Sequence, residues 1–369
     1  MSQACFACTT PYQIMGAVSI VSASKITADL LVFGMFDGYE SLASAIRETG
    51  LFSAVITVAP DRYRAPGRTG AVRQMAAARA VTGSFLPEEK VYDLYYSSSR
   101  AHIKNILLHE LIRRNPELKI IIYDDGMGTY AGDSHVLNTT NLRKKAEHLL
   151  GWDLYRPERT EYLVYEPALF TAPEGYSACP VRQMPKPGNR RETMRIISDI
   201  FHVTPQDEIG ERVIIFDPLR GKEREKILPQ IDSCYREVVS AFGRENVIIK
   251  PHPRSASRPD ADAKIYTRTG IPMEALYARM EDLNDRILVT YASTAVYTPR
   301  MLFAKEPRVI ALFRITDGDG HSEWHTQYEK FRGMYSDQEK MTAPGTMEEL
   351  KQLLHRADPG NAQRQNAGA

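Results

Sequence analysis

The stretch LKIIIYDDGMG, residues 118 to 128, ends an apolar run on two adjacent carboxylates, Asp124 and Asp125, followed by Gly126 and Gly128. Neighbouring carboxylates raise each other's proton affinity, so such a pair supplies a general base, and the glycines allow a tight turn and close approach of a ligand. The same letters also suit a plain polar turn, because Asp-Gly is a common turn dipeptide.

KPHPR, residues 250 to 254, is the second group with chemistry in it. Pro251 and Pro253 fix φ on both sides of His252 and remove two backbone donors, so the imidazole stands on a rigid, non-helical support. Flanked by Lys250 and Arg254, it can protonate a departing phosphate or donate a hydrogen bond to it; an incidental surface turn is the plainer alternative. In YASTAVY, Ser293 and Thr294 stand where a strand gives way to a helix, and their hydroxyls either cradle a phosphate or cap the helix. Glu274 of GIPMEALY lies in the first turn of a helix, where it complements the dipole or accepts from a ribose hydroxyl pair.

Other groupings carry less. ITDGDGHSEWH, 315 to 325, gathers Asp317, Asp319, His321 and His325 but lacks both the downstream glutamate of a calcium loop and the histidine spacing of a zincin. It reads as a loop, and no metal is expected. Cys5 and Cys8 sit inside an apolar segment with no second pair, so they read as buried thiols. Neither a G-x-x-x-x-G-K-[ST] nor a dinucleotide-type G-x-G-x-x-G motif occurs.

The elements that must position these residues alternate. ACFACT (4 to 9), ADLLVFG (28 to 34), SAVITV (53 to 58), VYDLYY (91 to 96) and KIIIYD (119 to 124) read as strands, with helical spacing near 11 to 24, 39 to 50, 72 to 82 and 100 to 115. Later come strands at 212 to 217, 247 to 251, 286 to 290 and 308 to 312, with helices from Glu223 to Phe242 and Pro272 to Glu281. Alternation of this kind predicts an α/β protein with parallel sheets covered on both faces. In open parallel sheets ligands bind beyond the carboxyl ends of strands, which is where TTPYQ (with Thr10, Tyr12 and Gln13), YDDGMG, KPHPR and YASTA all fall.

The chain of 369 residues suits two domains of about 150 to 200 residues each. The Pro-, Gly- and charge-rich stretch 173 to 206 is read as the linker, between an acceptor-side domain at 1 to 172 and a nucleotide-binding domain at 207 to 356; 357 to 369 reads as a disordered tail. Lys plus Arg (47) nearly cancels Asp plus Glu (46), so no electrostatic footprint for duplex nucleic acid exists. Four cysteines, the absence of a signal-peptide pattern and of any run of about 18 apolar residues predict a cytoplasmic protein, with membrane contact, if any, peripheral to the inner membrane.

In order along the chain, YDDG, K-x-HPR, IPMEALY and the Ser-Thr pair of YASTA resemble the motif set of bacterial sialyltransferases. The opening ACFACTTPYQI and the overall length look most like glycosyltransferase family 52, the lipooligosaccharide sialyltransferases. That resemblance implies a GT-B fold, two Rossmann-like domains facing a central cleft, with activity dependent on closure. It also implies inverting, metal-independent transfer of sialic acid from CMP-sialic acid to a galactose-type acceptor. By motif position, Asp124 would be the base with Asp125 in support, and His252 the acid assisting departure of CMP. Ser293 and Thr294 would bind the phosphate and Glu274 the ribose, with the backbone of Lys250, Pro251, Pro253 and Arg254 near cytosine. Thr10, Tyr12, Gln13 and Gly126 would face the acceptor, and Asp217, at the end of RVIIFD, is a rival base. A CDP-glycerol glycerophosphotransferase, a hexosyltransferase and a non-catalytic module of the same fold are the alternatives. The partners expected are a nucleotide-sugar donor and a glycan acceptor, with the oligomeric state, monomer or homodimer, open.

Overall fold

The computed structural model describes residues 2–24, 26–64, 70–98, 101–130, 152, 154–252, 255, 257–268, 270–317 and 323–357. The chain divides into two units, Met1–His202 and Val203–Ala369.

The first unit runs β1 (Gln3–Cys8), α1 (Pro11–Ala23), β2 (Thr27–Phe33), α2 (Tyr39–Glu48), β3 (Ala54–Val58), α3 (Gly70–Ala76), α4 (Ala78–Gly83), β4 (Leu94–Ser97), α5 (His102–Arg114), β5 (Lys119–Tyr123), β6 (Thr160–Val164), β7 (Val181–Gln183) and α6 (Arg191–Ile200). Its seven strands are parallel, in the order β3-β2-β1-β4-β5-β6-β7. The winding reverses between β1 and β4, the kind of switch point at which doubly wound sheets bind ligands. Residues Ala4 to Cys8 of β1 are wholly enclosed, which is why the strand reads as an unbroken apolar run.

α1 lies close on this sheet. A Cβ on Gly16 would come within 2.9 Å of Met184 Cε and 3.0 Å of Tyr123 Cε2, so glycine is what lets the helix approach β5. The Tyr123 hydroxyl donates to the Gln13 carbonyl at 3.1 Å, fixing the start of α1 beside the end of β5.

The stretch expected to link the domains instead carries β7 and α6, both in the first unit. β7 pairs with β6 from Tyr162↔Val181 to Val164↔Gln183, and α6 packs on α1 and α2. Ile196, Ile197 and Ile200 bury an apolar stripe there, a signal outweighed in the sequence by the prolines and charges before it.

The second unit runs β8 (Val213–Phe216), α7 (Leu228–Phe242), β9 (Val247–Lys250), β10 (Lys264–Ile265), α8 (Met273–Tyr277), β11 (Ile287–Thr290), α9 (Thr298–Phe303), β12 (Arg308–Ala311), α10 (Phe313–Asp317), α11 (Glu323–Arg332), β13 (Met341–Thr342) and α12 (Met347–Ala357). Six parallel strands follow the order β10-β9-β8-β11-β12-β13, with the reversal between β8 and β11. The helix expected from Glu223 begins at Leu228, after a 3-10 turn at Lys222–Arg224, and has a proline in its first turn. The segment 315 to 325, read as a loop, includes the end of α10 and the start of α11, with His325 on the latter; Asp319, His321 and the tail from 358 lie outside the described residues.

Each unit is thus a Rossmann-like α/β domain built on one parallel sheet, the two-domain make-up of a GT-B protein. Among the described residues no helix is long and apolar enough to cross a membrane.

Candidate active site

In the first unit the chain leaves β5 through Asp124 and Asp125, and the two carboxylates meet different surroundings. Asp124 is fully enclosed. Its Oδ1 accepts from the Gly126 amide at 2.7 Å, and its Oδ2 accepts from the Tyr165 amide at 3.2 Å and from the Tyr130 hydroxyl. Burial pushes its carboxyl up to about 7, against the pull of those donors. Gly126 has φ +81°, the left-handed conformation that this turn requires and glycine supplies. Asp124 therefore organises the turn. The expectation that it faces an acceptor is corrected, because both of its oxygens are consumed internally.

Asp125 is half-buried, and its amide donates to Thr129 Oγ1 at 2.9 Å. Gln13 Nε2 reaches its two oxygens at 3.1 and 3.0 Å. Behind it, Gln13 Oε1 accepts from the Thr9 amide (2.8 Å), the Thr9 hydroxyl (3.0 Å) and Lys104 Nζ (3.0 Å). Lys104, on α5, is wholly buried, and burial lowers it to about 8 while Cys8 and Asp125 oppose the shift. Burial raises Asp125 to about 6, with Lys104 and the Gln13 hydrogen bond holding it down. A buried cation, an amide spacer and a partly exposed carboxylate thus follow one another. The carboxylate ends with a proton affinity just below neutral, suited to a general base.

Two expected acceptor contacts, Thr10 and Gln13, join this network. Thr10, partly exposed, caps α1, accepting from the Gln13 amide at 3.2 Å, whereas Gln13 is 1% exposed and its side chain is not offered to a substrate. Tyr12 is partly exposed, with its ring beside Gly126: a Cβ there would lie 3.9 Å from Tyr12 Cζ. Lys104 is the residue that sequence reasoning missed. Its signal was its place on the stripe shared with Leu107, Leu108 and Leu111, since a lysine on an apolar face is rarely enclosed unless paired.

In the second unit, Asp217 follows β8 and is enclosed. Arg220 takes both its oxygens, Nε to Oδ2 at 2.8 Å and Nη2 to Oδ1 at 3.0 Å, and Arg220 Nη1 reaches Asp232 of α7 at 3.2 Å. Burial raises the Asp217 carboxyl and Arg220 opposes it. This buried ion triad fastens the β8 loop to α7, which corrects the reading of Asp217 as rival base or substrate contact.

Lys250 closes β9, with its ammonium 5.0 Å from the centre of the Tyr266 ring. Burial lowers it to about 8, opposed by Glu274 of α8, whose own carboxyl burial raises. Pro251 and His252 come next and are partly exposed; Pro253 and Arg254 lie outside the described residues. The His252 carbonyl accepts from the Ser255 amide at 2.9 Å, and Ser255 Oγ accepts from the Arg220 amide at 3.0 Å. The histidine loop is thereby tied to the loop after β8. Beyond β11, Ser293 Oγ accepts from the Ala295 amide at 3.3 Å and caps the turn Thr294–Val296, as its simpler reading had it, while Thr294 is exposed. Lys250, His252, Ser293 and Thr294 therefore gather at the carboxyl ends of β9 and β11, on either side of β8.

Among the described residues no group of three His, Cys, Asp or Glu side chains is placed to hold a metal ion. No protein-family model matches the chain, and no curated protein matches it. Among solved structures, the chain is similar to spinosyn rhamnosyltransferase SpnG, at 13% identity and a TM-score of 0.47 over 98% of this chain and 93% of that one. It is also similar to spinosyn forosaminyltransferase SpnP, at 9% identity and 0.47 over 100% and 93%. Likenesses this distant carry nothing about substrate.

Proposed function

We propose that the protein is a glycosyltransferase that moves sialic acid from CMP-sialic acid to a galactose-type acceptor of a bacterial surface glycan, with inversion and without a metal. One observation supports the reading above others: the described residues of YDDG, KPHPR and the Ser-Thr pair stand at strand carboxyl ends of two doubly wound parallel sheets, and Glu274 lies in the first turn of α8.

In this reading Asp125, backed by Gln13 and Lys104, takes the proton from the acceptor hydroxyl, and Asp124 holds the turn that carries it. The acceptor oxygen forms the new bond to the anomeric carbon as the bond from that carbon to the phosphate oxygen breaks. His252 donates a proton to the departing phosphate, Ser293 and Thr294 donate hydrogen bonds to it, and Glu274 accepts from the ribose. The backbone of Lys250 to His252 lies beside the cytosine. CMP leaves as a phosphate monoester, so hydrogen bonds and one proton replace the cation that a diphosphate leaving group often needs.

The test is incubation of purified protein with CMP-sialic acid and a lactose-type acceptor in the presence of EDTA, following sialylated product and CMP. Formation of both supports the reading. Absence of both product and donor hydrolysis, together with turnover of CDP-glycerol or a UDP-sugar, overturns it in favour of another transferase of this fold.

A further inference from the structure

The loop that carries His252 has few fastenings of its own. Neither Pro251 nor Pro253 has an amide hydrogen to donate, so two of the bonds that could pin the run after β9 are missing. The β8–β9 ladder ends where the Asp217 amide donates to the Lys250 carbonyl at 3.1 Å, and beyond that rung Ser255 bridges the two loops. Its amide donates to the His252 carbonyl at 2.9 Å. Its Oγ accepts from the Arg220 amide at 3.0 Å and donates to the Pro218 carbonyl at 3.2 Å. Both anchors are stiff: Pro218 has its φ fixed by the ring, and Arg220 is buried, with its guanidinium on Asp232 of α7 as well as on Asp217. A hydroxyl accepts and donates through one atom, which is what the span between these loops takes.

We propose that Ser255 is the positioning residue of His252, holding the histidine's backbone, and through it the imidazole, in the place from which it serves the leaving phosphate. The inference rests on the proposed function in taking His252 as the acid. Ser255 is partly exposed, and a hydrogen bond near the surface contributes little to the folded state, because water takes its place when it breaks. Its weight in the chemistry is greater. A general acid works only within hydrogen-bond reach of the atom it protonates, and a misplacement of about 1 Å costs up to about a hundredfold in rate. Reacting groups keep such precision when neighbouring side chains lock them, and here the lock is a serine that joins the histidine loop to two stiff points of the next loop. The hydroxyl therefore acts on rate, through His252, rather than on the stability of the fold or on ground-state binding.

The experiment compares transfer from CMP-sialic acid to a lactose-type acceptor by the full chain as wild type, Ser255→Ala, Ser255→Thr, His252→Ala and the variant carrying both alanines, with the thermal midpoint of each. Ser255→Ala is expected to lower kcat about 10- to 100-fold while the KM for the donor stays within about threefold. Its thermal midpoint stays within about 2 °C of wild type. Ser255→Thr, which keeps the hydroxyl, recovers most of the rate. Because the serine acts through the histidine, the variant with both alanines is no slower than His252→Ala alone. A kcat in Ser255→Ala equal to that of wild type overturns the inference. So do losses that multiply when the two alanines are combined, which is how a merely structural contribution behaves. Both of those results leave transfer by the wild type, and the proposed function with it, intact. A wild type that transfers no sialic acid overturns the proposed function and the inference that rests on it.

Discussion

Gln13 Nε2, in the first turn of α1, holds both carboxylate oxygens of Asp125, 112 positions further along the chain, at 3.1 and 3.0 Å. The amide of one side chain thereby serves two masters, accepting from Lys104 on one side and donating to Asp125 on the other. Leucine at this position keeps the volume and removes the bridge. Gln13→Leu takes an acceptor from a buried ammonium and from the Thr9 amide, and a loss of about 2 to 4 kcal/mol in urea denaturation at pH 7 is expected.

Asp124 and Asp125 separate stability from activity. Asp125→Asn lowers the rate of transfer about 10² to 10⁴-fold, the usual contribution of a general base, while retaining CMP binding. Asp124→Asn turns an amide NH₂ toward groups that already donate, so it destabilises by about 2 to 3 kcal/mol. Parallel transfer assays and denaturation curves check both, and the reverse pattern would return the base to Asp124.

The acid limb of kcat/KM reports Asp125. Its carboxyl is raised to about 6, so activity falls as the pH drops through 6 and the base becomes protonated. The charged and titratable groups around it are Lys104 from α5, Cys8 from β1 and the neighbouring Asp124. Lys104 favours the carboxylate, so Lys104→Met shifts the limb to higher pH. The stability linkage has the opposite sense to that of a salt-bridged aspartate. With the folded value above the unfolded one, the stabilising contribution is present below pH 3.8 and is lost as the pH rises through 6, so Asp125→Asn gains relative stability at pH 8 over pH 4.

Asp217→Asn tests the buried triad. Removing the charge leaves Arg220 with Asp232 alone, and a cost of about 3 to 5 kcal/mol is expected in denaturant titration. Whatever fraction remains folded transfers sugar at the wild-type rate per active site, which titration of bound CMP measures. A selective loss of rate with full stability would make Asp217 a participant in the chemistry.

Much of the architecture was legible because it is written locally. The runs ACFAC, IIIY, VIIF, VII and ILV are enclosed on both faces of their sheets and therefore apolar without interruption, and the residues just past them inherit their place at a carboxyl end. Where the signal was composition, as in the supposed linker, it failed: prolines and charges before Arg191 say nothing of the isoleucine stripe that docks α6 on α1.

By itself the sequence determined which residues follow which strands, and with that the short set of groups able to reach a ligand. Only the tertiary structure decided what each of them does. Asp124 and Asp125 are adjacent in sequence and alike in chemistry, yet one is sealed by Tyr130, Tyr165 and Gly126 while the other is partly open and backed by Gln13 and Lys104. The partners that enclose, pair or expose a carboxylate come from α1, α5 and the segments around β6, and a charge takes its cost and its proton affinity from what packs over it.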